Sequence, residues 1–258
     1  MKFLRTVVVF DRGNLIDSSD WKTLHETYVN ALRGIAHPSG SDKFIIRKKL
    51  AIWKTSRSGK KTLQWIRNGV VPIKNQFLAN LEKAGWESES PAGLERASAA
   101  MRNARAQADI VFKEYPAKRE IRLGDEGWAE VFNKKVGNFD FFTKLDSGLR
   151  CAVEWETGNI SSSHRSMNKL CLVMMAGLID IGVVVLPSRD LYSHLTDRIG
   201  NWTELSPYLP LWHHIGQRMK RGLLAVTVVE HDELTNDRSV PFIGQGKDGR
   251  SAKAAGKR

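Results

Sequence analysis

Residues 138–157 carry the pattern that decides the fold, and they read NFDFFTKLDSGLRCAVEWET. Two runs rich in aromatic and apolar residues flank an Asp-Ser-Gly sequence at 146–148, which is typical of a turn. This pattern predicts an antiparallel β-hairpin. Side chains alternate between the two faces of a strand, so Glu154 and Glu156 are expected to share one face. The sequence therefore predicts two neighbouring carboxylates on the second strand.

The residues that follow the hairpin predict a strand-helix-strand unit. Met167, Leu170, Met174 and Leu178 repeat at helical spacing within 161–178, which indicates a helix. The run IGVVVLP at 181–187 is continuously apolar, as expected for a strand buried on both faces. A crossover helix between two strands is typical of an α/β fold. We therefore expect a central mixed β-sheet flanked by helices.

The rest of the chain supplies further elements of the same fold. A first strand is predicted at 1–10, a helix after the capping residues Ser18 and Ser19, and a strand at 43–55. A helix is expected from Pro72 to Gly85 and a last strand in LLAVTVVE, which ends at Glu230.

The length of 258 residues favours a single domain over 1–258. The region 92–136 has the least regular pattern, although 91–107 is Ala-rich enough for a helix, and we interpret it as a variable insertion. The residues at 247–258 are rich in Gly, Ala, Lys and Arg, which predicts a flexible basic C-terminal arm.

Charge and cysteine content narrow the class of partner and the compartment. Forty Lys and Arg against 28 Asp and Glu give a net charge of +12, which suits a polyanion such as nucleic acid. Two cysteines in neither a disulfide framework nor a zinc-ligand spacing indicate a reducing, cytoplasmic setting. The N-terminus lacks the features of a signal peptide and no apolar run is long enough to cross a membrane, so no membrane association is expected.

Three carboxylates form the candidate catalytic cluster. Asp140 stands among Phe139, Phe141 and Phe142, where an unpaired carboxylate would cost several kcal/mol unless a cation neutralised it. Carboxylate oxygens are the ligands that Mg²⁺ selects, with Mn²⁺ as a plausible substitute. We therefore assign Asp140 and Glu154 as metal ligands in phosphodiester hydrolysis, with Glu156 orienting or deprotonating the attacking water.

Simpler interpretations compete with this assignment. The paired glutamates could be solvated residues of a surface hairpin, and Asp146 or, less strongly, Asp109 could replace Asp140 in the cluster. His164 opens a helix and is expected to be structural rather than a general base. Arg165 and Lys169, four residues apart, would ordinarily form a solvated helix face. The eight Trp residues are interpreted as packing residues.

Four blocks of sequence closely resemble the BamHI family of type II restriction endonucleases. They are EWETGNISSSHRSMNKL at 154–170, LTDRIGNWTELSPYLPL at 195–211, GVVPIK at 69–74 and VPFIGQGKDG at 240–249. The blocks cover under half of the chain and run in the family's order. The regions 92–136 and beyond 212 depart from the family pattern.

The resemblance implies a nuclease fold of the PD-(D/E)XK superfamily with Asp140, Glu154 and Glu156 as its catalytic cluster. Glu156 stands where most of the superfamily has a Lys, a feature that this family shares. Glu89, which follows Trp86, matches a fourth acidic residue of the family.

The resemblance also implies how DNA is recognised. The positions that match the family's recognition residues are Asn159, Ser161, Arg165, Asp197, Arg198 and Asp248. All six agree, so the implied target is the palindrome GGATCC in double-stranded DNA, cut to leave four-base 5′ ends by a homodimer. Met174 and Met175 suggest an apolar subunit contact, and a companion DNA methyltransferase is expected. A nuclease of the same fold with another specificity or a repair role, or a non-cleaving DNA-binding protein, remain alternatives.

Overall fold

A computed structural model of the protein describes residues 1–90, 111–114, 119–122, 138–196 and 199–244, with only the backbone given at 111–114, at 119–122 and for Glu89. The predicted helix at 91–107, the rival Asp109 and the basic arm at 247–258 lie outside these residues. Within the described ranges, every helix is too short or too polar to span a bilayer.

The elements of the described ranges are as follows. The strands are β1 (Lys2–Arg12), β2 (Ile45–Arg47), β3 (Leu50–Thr55), β4 (Lys61–Ile66), β5 (Glu87–Ser90), β6 (Val111–Glu114), β7 (Arg119–Arg122), β8 (Phe139–Lys144), β9 (Arg150–Trp155), β10 (Ile181–Pro187), β11 (Gly222–Glu230) and β12 (Glu233–Thr235). The helices are α1 (Ser19–Arg33), α2 (Val71–Lys83), α3 (Ile160–Met175), α4 (Arg189–Tyr192), α5 (Trp202–Leu205) and α6 (Leu209–Gly216), with 3₁₀ turns at Leu15–Asp17 and Ser206–Tyr208.

The central sheet of the described residues has six strands in the order β1-β11-β10-β9-β8-β5. β9, β10 and β11 are parallel, whereas β1 pairs antiparallel with β11, and β8 pairs antiparallel with both β9 and β5. The predicted hairpin is therefore β8–β9, and the predicted crossover is β9-α3-β10. Both predictions, and the expected mixed α/β architecture, are confirmed.

Apolar clusters cover both faces of the sheet. The side chains of β10 point alternately into one cluster and the other. Val183 and Val185 pack into the cluster that includes residues of α1 and α2. Val184 and Leu186 pack into the opposite cluster, which includes residues of α3 and α6. All seven residues of β10 are buried, as the continuous apolar run predicted.

The region around the predicted strand at 43–55 differs from the expectation. β2 ends at Arg47, and β3 begins at Leu50 and pairs with β4, which the sequence pattern did not predict. β12 follows β11 and pairs with β2, so β11 is not the last strand. The Lys-rich break between β2 and β3 explains why one run of strand-forming residues yields two strands.

Gly216 ends α6 at a position that has no room for a side chain. A Cβ atom there would lie 2.2 Å from Phe10 Cγ and 2.7 Å from Phe10 Cβ. We expect Gly216→Ala to lower the free energy of unfolding by about 2 kcal/mol, because overpacking strain of up to about 3 kcal/mol outweighs the helix-forming advantage of Ala, about 1 kcal/mol. Gly244→Ala is the control, since its Cβ would meet nothing within 4 Å. Equal denaturant midpoints for the two variants would contradict this expectation.

Candidate active site

A cavity of about 450 Å³ opens where β8 begins and β9 ends. The parallel strands place the carboxyl end of β9 beside that of β10, and Glu156 N–H donates to Val185 O at 3.2 Å. The charged side chains that line the cavity are Lys74, Asp140, Glu154, Glu156, Arg165 and Lys169. The three carboxylates predicted from the sequence therefore line one cavity.

Asp140 is held on both of its carboxylate oxygens. Lys74 Nζ lies 2.6 Å from Oδ1, and the backbone N–H of Trp155 donates to Oδ2 at 2.9 Å. Trp155 belongs to the neighbouring strand and lies between Glu154 and Glu156, so this second bond joins β8 to β9 at the ExE pair. The cost of burying this carboxylate among phenylalanines is offset by Lys74, which α2 brings to it.

Glu154 is buried and forms an ion pair with a buried lysine. Lys169 Nζ lies 2.8 Å from Glu154 Oε1 and donates to Asn138 O at 2.5 Å. The pKa of Glu154 is raised to about 7. Burial is the main cause, Lys169 opposes it, and the negative charge of Asp140 adds to it. The sequence context predicted that Lys169 lies on a solvated helix face. In the structure it is buried and belongs to the site.

Glu156 is buried with less compensation. Its Oε2 atom accepts no hydrogen bond from any described residue. The pKa of Glu156 is raised to about 7. Burial is the main cause, the Ser163 hydroxyl opposes it, and the charge of Glu154 adds to it. A buried carboxylate oxygen without a donor favours either a proton or a bound cation.

The donor set suits a hard divalent cation, although the carboxylates are not preassembled around one. No three acidic, His or Cys side chains in the described ranges are grouped closely enough to hold a metal ion. Mg²⁺ is commonly held by one or two carboxylates, with waters and substrate phosphate completing its shell. Asp140 and Glu154 can supply that pair, since each already holds a positive group, Lys74 on Asp140 and Lys169 on Glu154.

The remaining predicted residues are distributed around this cavity. β5 pairs Ser88 with Phe141 and Ser90 with Phe139, so the backbone of Glu89 lies beside that of Asp140. Asp146 is exposed in the β8–β9 turn and does not line the cavity. His164 packs edge-on against the ring of Tyr208 and at a tilt against that of Trp212, which fits the structural role expected for it.

The predicted DNA-recognition residues that the structure describes lie at the start of α3. Asn159 caps the helix by accepting from Ser162 N–H at 3.2 Å, and Asn159, Ser161 and Arg165 are exposed. Arg165 also lines the cavity. Asp197, Arg198 and Asp248 lie outside the described residues.

Two lysines of the site were missed by the sequence analysis. Lys74 stands in the GVVPIK block, where nothing distinguishes it from a surface lysine. A signal for Lys169 was present, since Ser162, Arg165, Ser166 and Lys169 share helical spacing and all line the cavity. A stripe of polar residues on the helix after the ExE pair could therefore have indicated Lys169.

Comparisons with known proteins agree with the sequence blocks. A family model described as restriction endonuclease BamHI matches residues 1–250. The type II restriction enzyme OkrAI of Oceanobacter kriegii is 34% identical over 222 residues, which cover 86% of this chain and 86% of that enzyme. The type II restriction enzyme BamHI of Bacillus amyloliquefaciens is 33% identical over 188 residues, covering 72% and 70%. A crystal structure of the restriction endonuclease BglII with a DNA 16-mer aligns with a TM-score of 0.47 at 9% identity, over 94% of this chain and 86% of that one.

Proposed function

The chain belongs to the BamHI family of type II restriction endonucleases, and we propose that it hydrolyses duplex DNA with Mg²⁺ at the palindrome GGATCC, leaving four-base 5′ overhangs. The single observation that carries the catalytic part of this proposal is the cavity that Asp140, Glu154 and Glu156 all line. Buried carboxylates with raised pKa values in a cleft are typical of catalytic sites.

Asp140 and Glu154 are the residues that would hold the cation, with Mn²⁺ as a substitute. When bound, the ion lowers the pKa of an attacking water and offsets the charge that develops on the phosphate. The Trp155 N–H fixes the orientation of the Asp140 carboxylate by holding Oδ2. Lys74 and Lys169 supply positive charge where the phosphate would approach.

Glu156 is the residue that would take the proton of the attacking water. Its pKa of about 7 suits a general base at neutral pH, because such a group is substantially ionised and still accepts a proton readily. The Ser163 hydroxyl and the charge of Arg165 both favour the ionised form of this carboxylate, and Arg165 also lines the cavity. Glu89 is proposed as a further acidic residue of the site, on the strand next to Asp140.

DNA recognition is proposed to use Asn159, Ser161, Arg165, Asp197, Arg198 and Asp248. Arg suits guanine, Asn suits adenine and Asp accepts from cytosine. The described residues that follow 197–198 are tied close to the start of α3, since Gly200 N–H donates to Gly158 O at 2.8 Å and Ile199 pairs with Asn159. These contacts support the proposal that the segment takes part in recognition together with the start of α3.

We expect Arg198→Ala to cost about 1–3 kcal/mol of binding free energy at one base pair of the site, because a forked contact to guanine would be lost. The measurement is the affinity for the palindrome and for each singly substituted duplex. A uniform loss on all duplexes, including unrelated DNA, would show that Arg198 contacts only phosphate. Arg189→Ala is a matched control, since this exposed arginine pairs with Glu204.

A palindromic site suits a two-fold symmetric homodimer, with one active site for each strand. Exposed apolar residues on α3 and near α6 offer a subunit contact: Leu172, Met175, Tyr208 and Leu211. Met174 is buried in the core and does not belong to this surface, contrary to the expectation for both methionines. A host carrying such an enzyme must protect its own sites, so a cytoplasmic location and a companion methyltransferase are also proposed.

The experiment that tests this function is digestion of a defined plasmid with and without Mg²⁺, followed by run-off sequencing of the ends. We expect Mg²⁺-dependent cleavage at GGATCC with four-base 5′ overhangs. Cleavage at another sequence would support the nuclease activity and contradict the proposed GGATCC specificity. Binding without cleavage in Mg²⁺ would overturn the catalytic assignment.

A further inference from the structure

The hairpin formed by β3 and β4 carries charge of one sign. Residues 48–67 contain seven Lys or Arg and no Asp or Glu. The two strands form a sheet of their own, and almost all of their side chains are exposed. Lys54, Arg57, Lys60 and Lys61 surround the end of the hairpin, and none of them forms an ion pair with a described residue.

One face of this hairpin is apolar and exposed. Trp53 pairs with Leu63, and Trp65 pairs with Ala51, so the three large side chains share a face. Trp53 is 70% exposed, Trp65 50% and Leu63 48%. The expectation that all Trp residues serve packing is wrong for these two. A contiguous apolar patch of this kind, bordered by cations, marks a binding surface.

The base of the hairpin is tied to residues that precede two of the segments proposed to recognise DNA. Asn68 is fully buried; its side chain donates to Arg47 O at 2.8 Å and His194 O at 3.1 Å, and accepts from Ile243 N–H at 3.2 Å. Thr196 N–H donates to Asn68 O at 2.6 Å. Thr196 precedes 197–198 in the sequence and Ile243 precedes the basic C-terminal residues, so the base of the hairpin contacts described residues that lead into both segments.

We propose that the β3–β4 hairpin is an additional DNA-binding arm, which holds the phosphate backbone of the duplex next to the recognition sequence. This inference rests on the proposed function, since it takes duplex DNA as the partner. The uniformly positive charge complements phosphate, and a two-stranded ribbon matches the width of the major groove. A second copy of this chain is disfavoured as the occupant, because it would bring the same positive hairpin into contact.

The test compares two triple variants of the full chain. Arg57→Ser/Lys60→Ser/Lys61→Ser removes three charges from the hairpin. Arg218→Ser/Lys220→Ser/Arg221→Ser removes three exposed charges beside the start of β11, at the sheet edge opposite the carboxyl end of β9. Affinity is measured by fluorescence anisotropy in EDTA at several salt concentrations, with a labelled duplex of about 30 base pairs, roughly three helical turns, that lacks GGATCC.

Each phosphate contact contributes about 0.9 to the slope of log affinity against log salt. We expect the hairpin variant to reduce this slope by about 2 to 3 and to weaken binding about 10-fold to 100-fold at low salt. The control variant is expected to keep the wild-type slope. A charge-retaining variant, Arg57→Lys/Lys60→Arg/Lys61→Arg, is expected to restore it.

Several results would overturn the proposal. A slope equal to that of the control variant, in a protein that still binds and cuts DNA, rejects the arm while the nuclease function stands. Loss of a dimer in sedimentation with an unchanged slope assigns the hairpin to a second copy instead. Failure of the wild type to bind duplex DNA rejects both the arm and the proposed function.

Discussion

Asp140→Asn and Glu154→Gln are each expected to abolish DNA cleavage while DNA binding persists. Both substitutions keep the size of the side chain and remove the charge that would hold the cation. Losing about 4 kcal/mol of transition-state stabilisation corresponds to a rate lower by about 10³-fold. The measurement is the single-turnover cleavage rate in Mg²⁺, together with the affinity for the same duplex in Ca²⁺.

Asp146→Asn provides the matched control for these variants. Asp146 lies in the turn of the same hairpin, is exposed and does not line the cavity. It is therefore expected to leave the cleavage rate within about twofold of the wild type. Wild-type rates for Asp140→Asn or Glu154→Gln, or loss of cleavage in Asp146→Asn, would refute the assignment of the cluster.

The second large effect concerns the stability of the metal-free protein. Burial raises the pKa of Glu154 and of Glu156 from the ordinary 4.5 to about 7, so the folded protein binds their protons more tightly than the unfolded chain. Their contribution to stability is therefore complete below about pH 4.5 and is lost as the pH rises through about 7. The loss is on the order of 3 kcal/mol for each carboxyl group.

This expectation is tested by denaturant unfolding in EDTA at about pH 5 and about pH 8. Glu154→Gln/Glu156→Gln removes both titrating groups, so its free energy of unfolding is expected to fall less than that of the wild type between these two pH values. Ca²⁺ is expected to recover the stability of the wild type at the higher pH and not that of the variant. Glu26→Gln/Glu233→Gln, at two exposed glutamates, is the control. The same pH dependence in all three proteins would contradict the account.

The sheet and its flanking helices were predictable because local pattern and tertiary context agree. The alternation in 150–155, the continuous apolar run at 181–187 and the helical spacing of Met167 and Leu170 each predict the element that forms. The cap at Ser18 also agrees, since its hydroxyl accepts from Trp21 N–H.

The ion pairs of the active site were less predictable, because they join residues that are distant in the chain. Lys74 reaches Asp140 from α2, 66 residues earlier in the sequence. Lys169 reaches Glu154 from α3, and its burial runs against the usual exposure of lysine. Strand β4 was missed for a different reason: it is short, almost all of its side chains are exposed, and it follows a run of turn-forming Ser, Gly and Lys residues.

The central claim is that Asp140 and Glu154 together hold a divalent cation at the scissile phosphate. The most direct measurement is a crystal structure of the protein with cognate DNA and Mn²⁺, with data collected at the manganese absorption edge. The account predicts an anomalous peak within about 2.5 Å of both carboxylates, with Lys74 and Lys169 displaced from the atoms that they now contact. A peak elsewhere would contradict it. So would crystals in which the DNA is cleaved while Lys74 still contacts Asp140 and Lys169 still contacts Glu154.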